Sequence, residues 1–170
     1  MNDIFEGVKQ HILKYTHGYE EMYVDNTYDH STNNGFTYEM FKNYFGDFKT
    51  LDEFKNMSDK QWNSMYRNEH WCPLELDEVD DVSVCILIAD WAWFYGNQYV
   101  IKHIQSIFGL NDTGIVDAKY LECLNNGESS FNKIFIQREL MLFDIMKKYP
   151  DQPERVDIEF SHLIKIKYIN

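Results

Sequence analysis

The chain has 170 residues, 16 Lys and Arg against 28 Asp and Glu, and a formal net charge of −12. That balance excludes a nucleic-acid partner, which needs a basic face to release counterions, and disfavours an anionic membrane surface for the same reason. The length suits one domain, or one domain with a small lobe, and 44% hydrophobic and 16% aromatic residues supply a real core and rule out a disordered chain.

The spacing of apolar residues is helical almost throughout. Ile4, Phe5, Val8, Ile12 and Leu13 share one face of a first helix, capped by Asn2 or Asp3 and expected to end near Thr16–Gly18. An irregular stretch from Tyr19 to Gly35 follows, rich in Asp, Asn, Thr and Ser; an ordered loop of that length is usually functional. Thr37 starts a second helix with Met40, Phe41 and Tyr44 directed inward. Ser58-Asp59-Lys60-Gln61 is a capping box that opens a helix bearing Trp62, Met65 and Tyr66.

Pro73 breaks the chain after Trp71. The acidic run from Glu75 to Asp81 reads as a solvated helix start, favourable at the positive end of the helix dipole, because no metal-ligand spacing is visible in it. The most apolar helix follows, from Asp81 to Tyr95. Gly96 and Gly109 punctuate a helix with Val100, Ile101, Ile104 and Phe108; Asp117 caps a short one with Leu121 and Leu124. Ser129 or Ser130 begins a last long helix with Phe131, Ile134, Ile145 and Met146, stopped by Pro150, and the tail from Asp151 is weakly patterned. The expectation is an all-α protein of about seven helices.

The apolar run Val84–Ala89 stops at Asp90, far short of the roughly 20 residues of a membrane-spanning helix. The opening MNDIFEGVKQ places acids where a secretory signal is basic, so synthesis in the cytoplasm without a signal peptide is expected. Cys72, Cys85 and Cys123 have no C-x-x-C spacing and read as small buried residues rather than as disulfides or zinc ligands. His17 and His30 read as polar loop residues, and His70 with Cys72, two apart, point away from each other rather than forming a nucleophilic pair. With no Gly-rich phosphate loop, no metal and no cofactor is expected. Trp62, Trp71, Trp91 and Trp93 read mainly as core, with one of them at a cleft.

Several segments, in order, resemble glycoside hydrolase family 108, the phage and bacterial N-acetylmuramidases with a lysozyme-like helical domain. Met65–Leu74 (MYRNEHWCPL) is similar to that family's IYRRDYWDP, and Ala89–Gly96 (ADWAWFYG) to its FDxAVNSG. His103–Leu110 is similar to LLQRALGV, Thr113–Leu121 to DGVIGPKTL, and the stretch ending Lys147-Lys148-Tyr149-Pro150-Asp151-Gln152 to the KNPSQ exit of its last helix. The resemblance implies an all-α fold: a lysozyme-like domain over residues 1–109 and a small peptidoglycan-binding-like helical lobe over residues 110–170.

The N-terminal segment departs from the pattern. Where the family has EGGY, this chain reads Thr16-His17-Gly18-Tyr19; where it has the loop DPGGxTNYGIT, this chain reads Tyr28-Asp29-His30-Ser31-Thr32-Asn33-Asn34-Gly35-Phe36-Thr37. Thr16 therefore stands at the position of the catalytic glutamate, Asp29 and His30 at the loop diglycine, and Phe94 at the Asn of AVNSG. Glycosidic cleavage requires a carboxylic acid of raised pKa to protonate a poor leaving oxygen, which a hydroxyl does not replace. Side chains at the diglycine positions would also crowd a sugar.

The resemblance thus implies a degenerate muramidase without a catalytic residue, with Tyr19, Asp29, Thr32 and Trp71 the inherited sugar-facing positions. It would serve as a structural component, with proteins as partners, among them phage structural proteins, and incorporation into a phage particle. Two alternatives stay open: an active muramidase with Glu20 or Glu21 as its acid, and a peptidoglycan-binding module acting through the lobe around Gly114 to Leu124.

Overall fold

The computed structural model describes residues 3–20, 32–151 and 153–167. Helix α5 (Val82–Tyr95) is its axis. Ten consecutive residues from Ser83 to Ala92 are buried, as expected of a helix that is apolar all round and has no face to give to water. Asp81 starts it: its carboxylate accepts from the backbone N–H of Ser83 (2.8 Å) and of Val84 (3.3 Å). That satisfies two orphan donors and places a negative charge at the positive end of the helix dipole.

Four helices pack directly on this axis: α1 (Asp3–Glu20), α6 (Asn97–Ile107), α8 (Glu128–Lys148) and α9 (Pro153–Lys167). Phe5, Val8 and Ile12 of α1 are fully enclosed, as their spacing predicts. α2 (Tyr38–Phe45), α3 (Leu51–Lys55) and α4 (Asp59–Tyr66) lead into a π-helical turn, Arg67–Trp71. There the Cys72 N–H donates to the Arg67 carbonyl, five residues back, at 2.8 Å. A short α7 (Ala118–Leu124) is capped by Asp117 on the Tyr120 N–H (2.9 Å).

The capping box expected at Ser58 and the cap expected at Asp117 are present, and Thr37 and Asp81, expected as helix starts, cap the helices that follow them. Five elements differ from the sequence expectations. First, α1 runs through Gly18 to Glu20; an interior glycine costs a helix about 1 kcal/mol against alanine but does not terminate it. Second, Thr32–Asn33 (β1) and Phe36–Thr37 (β2) form a hairpin with Thr32 opposite Thr37. Its turn residues Asn34 and Gly35 both have positive φ (50° and 86°), the Asn-Gly signature of a tight hairpin turn.

Third, Thr50 and Glu53 cap the additional helix α3. Fourth, α8 begins at Glu128 after Gly127 rather than at a serine. Fifth, the segment after Pro150, expected to be weakly patterned, contains the 15-residue helix α9. Val156, Leu163 and Ile166 of α9 are buried, and so are the polar Glu159 and His162 that interrupt its apolar period. Met40, expected inward, is 36% exposed.

The hairpin turn is pressed onto the body of the protein. A Cβ at Gly35 would lie 2.2 Å from Cζ2 of Trp93. Gly35→Ala combines that clash with a left-handed φ, so we expect a loss of about 2–3 kcal/mol. In thermal unfolding followed by circular dichroism the midpoint should fall by roughly 5–10 °C.

Candidate functional site

The hairpin closes over an aromatic basket. Phe36 is fully buried and meets Trp62 (5.8 Å between ring centres) and Trp93 (5.4 Å, edge-on). Trp62 stacks on Tyr66 at 4.9 Å, and Tyr66 stacks in turn on His70 at 5.6 Å. Polar contacts fix the hairpin: the Trp62 indole N–H donates to the Asn34 carbonyl (3.1 Å), and the Asn33 amide donates to the Phe54 (2.7 Å) and Lys55 (3.3 Å) carbonyls. Lys9 of α1 reaches Asp59 at the start of α4 (2.8 Å).

His70, on the π-helical turn, is the imidazole of the basket. The Asn97 amide N–H donates to the Glu69 carbonyl (2.6 Å), which leaves the Asn97 Oδ1 facing His70 Nδ1 at 3.1 Å. An amide oxygen only accepts, so Nδ1 carries the proton and Nε2 is the basic nitrogen of the neutral ring. Burial pushes the His70 pKa down, against the smaller effects of Asn97 and Glu69. The ring is therefore neutral near pH 7, able to accept a proton and unsuited to delivering one to a leaving oxygen.

The other charged centre lies deep in the core, and sequence reasoning missed it. Asp90 of α5 is 2% exposed. Its Oδ1 accepts from His11 Nε2 of α1 (3.2 Å) and His162 Nδ1 of α9 (3.1 Å), and its Oδ2 from Arg138 of α8 (2.6 Å). Burial alone would raise the carboxyl pKa. The Arg138 guanidinium, with the hydrogen bonds from His11 and His162, outweighs it and holds Asp90 well below the usual carboxylate range. One turn earlier on α9, Glu159 accepts from the Tyr95 hydroxyl (3.0 Å). The partners of Asp90 lie 48, 72 and 79 residues away in sequence. The one available signal was an Asp inside an otherwise apolar helix, which demands a buried cation.

The sequence-predicted positions are distributed as follows. Thr16 and Tyr19 lie on the last turns of α1, and Glu20 is its final residue. The side chains of residues 15–20, and the whole of Glu21, Asp29 and His30, lie outside the described residues. Thr32 is exposed on β1. Trp71 corrects the expectation: it is fully buried, edge-on to Phe5 at 4.9 Å with Arg67 beside it, so it belongs to the core and presents no face to a sugar. Trp62 and Trp91 are likewise buried, whereas Trp93 is partly exposed beneath the hairpin.

Among the described residues no three His, Cys, Asp or Glu side chains are grouped to hold a metal ion, and no helix is long and apolar enough to cross a membrane. Two carboxylates beside the basket are Asp59, 80% exposed at its side chain, and Glu69, also exposed. Neither sits in the apolar wall that would raise an acid's pKa.

This hairpin-on-helices segment has a counterpart in a known family. Residues 13–96 match the family model described as Glycosyl hydrolase 108. Over this segment, just under half of the chain, the protein is similar to that family. The match runs from the end of α1 through the hairpin and the π-helical turn to the end of α5. The solved structure of Brucella abortus SagA shares the fold over 96% of this chain and 97% of that one, with a TM-score of 0.65 at 19% sequence identity. No curated protein matches the chain. The matched segment is followed by α6 to α9, and the chain as a whole has an all-α, lysozyme-like fold.

The Asp90 centre has a sign that can be tested. Its folded pKa lies below the unfolded value of about 3.9, so its contribution to stability is fully present above that pH and is lost as pH falls through the folded pKa. Asp90→Asn strands Arg138 without a counter-charge, and we expect a loss of about 3–5 kcal/mol in urea unfolding at pH 7. In the variant, the part of the stability loss below about pH 4 that Asp90 supplies should disappear.

Proposed function

We propose that this protein is a muramidase fold that has lost its proton donor and acts as a structural or interaction component rather than as a glycosidase. One observation carries this reading: a threonine occupies position 16, at the end of α1, where the family's motif has its glutamate. A hydroxyl of that kind is too weakly acidic to transfer its proton to a glycosidic oxygen, and losing general acid catalysis typically costs about 10²–10⁴ in rate. The surroundings support the same reading. His70 is held neutral with Nε2 as a base, and Asp90 is held ionised and enclosed. Phe94, at the family's Asn position, packs 5.6 Å from the ring of His162.

The length of α1 favours a second reading. The helix continues to Glu20, one turn beyond Thr16, so positions 16 and 20 share a helix face. On this reading Glu20 takes over the acid role, and the protein remains a peptidoglycan muramidase.

A turbidity assay on purified cell wall separates the two. The first reading expects the purified protein to clear wall no faster than buffer, with Glu20→Gln and Glu21→Gln indistinguishable from it. Clearance that Glu20→Gln reduces by about 10²-fold or more would establish the second reading instead. Purification of the native protein from its source supplies the complementary measurement: an inert component is expected to co-purify with an assembled protein particle.

A further inference from the structure

The charge of this protein is unevenly distributed. Residues 128–167, the α8–α9 hairpin, carry seven Lys and Arg and seven Asp and Glu, so the entire −12 resides in the rest of the chain. The same hairpin concentrates exposed apolar side chains. Along α8, Ile136 (50% exposed), Leu140 (49%), Phe143 (45%) and Met146 (39%) recur at three- and four-residue spacing and share one face. The ring of Phe143 meets Phe160 of α9 at 5.0 Å, and Ile164, one turn further along α9, is 53% exposed. Leu140 also forms the lip of a groove of about 600 Å³ between α6 and α8 that is floored by Trp91. A row of exposed apolar side chains along one helix face is the kind of surface that marks a contact face.

We propose that this face is the contact between two copies of the chain, related by a two-fold axis passing at Phe143. Two copies of so acidic a protein repel each other wherever their acidic surfaces meet, and the neutral hairpin is where they can approach. The α8 face is also self-complementary. In an antiparallel crossing centred on Phe143, Leu140 lies against the partner's Met146. Glu139 lies against the partner's Lys147, and the symmetry repeats both pairs. Lys147 is available for this: its own-chain contact is a 3.3 Å pair with Asp144 in which both side chains are more than three-quarters exposed, and pairs of that kind contribute little.

Sedimentation equilibrium of the full chain between about 1 and 100 µM, a range suited to an interface of modest size, should give a concentration-dependent mass approaching twice 20.4 kDa. Phe143→Glu, which alters a half-exposed position and leaves the core intact, should weaken association about thirty-fold or more with an unchanged circular dichroism spectrum. Glu139→Lys and Lys147→Glu should each weaken it several-fold by setting like charges together, and the double variant should restore it to within about three-fold of the parent. A single-chain mass across the whole range overturns the proposal, even if the face then binds a different protein. So does a dimer indifferent to Phe143→Glu, or a charge swap that fails to restore association.

Discussion

One buried carboxylate sets the terms for the rest of this fold. Asp90 sits in the middle of the most apolar helix, where an unpaired charge is prohibitively costly. The protein meets that cost with a cation from α8 and imidazole N–H groups from α1 and α9. Every helix that supplies a partner must therefore be docked at a fixed height and rotation against α5. Apolar packing alone tolerates sliding and repacking. A carboxylate whose two oxygens are each committed to named donors does not, and this gives the helices around α5 a defined register.

The hairpin rests on that frame. Trp93 is three residues beyond Asp90 on α5, and Gly35 comes close enough to it that a Cβ would not fit. The path of β1 and β2 is thereby tied to the rotation of α5. His70 is held in the same way, through Asn97 at the start of α6 and the rings of Tyr66 and Trp93. The result is a rigid, largely aromatic platform under the segment that family 108 shares. A platform of this kind suits binding as well as catalysis.

Much of the helical architecture was legible because it rests on local signals. Thr37, Ser58, Asp81 and Asp117 each cap the helix they precede, and the apolar run of α5 is buried as its composition requires. The hairpin was legible in principle, since Asn34-Gly35 is the strongest short turn signal there is, but strands of two residues carry no alternation to read. α9 was not legible, because Glu159 and His162 interrupt its apolar stripe and only the long-range contacts to Tyr95 and Asp90 explain why they are buried. At the site, the threonine at position 16 could be compared with the family's motif. The enclosure of Trp71 could not be read, because it depends on Phe5, brought in by α1.

The spacing of the Asp90 partners also bears on how the chain matures. His11 is synthesised long before Asp90, whereas Arg138 follows it by 48 residues and His162 by 72. A nascent chain that has emerged only as far as α7 holds its most apolar helix with a carboxylate in the middle and no guanidinium to neutralise it. The full set of contacts to Asp90 therefore requires α8 for its guanidinium and α9 for its second imidazole. The segment that looks least like a core element in the sequence is the last to lock the core in place.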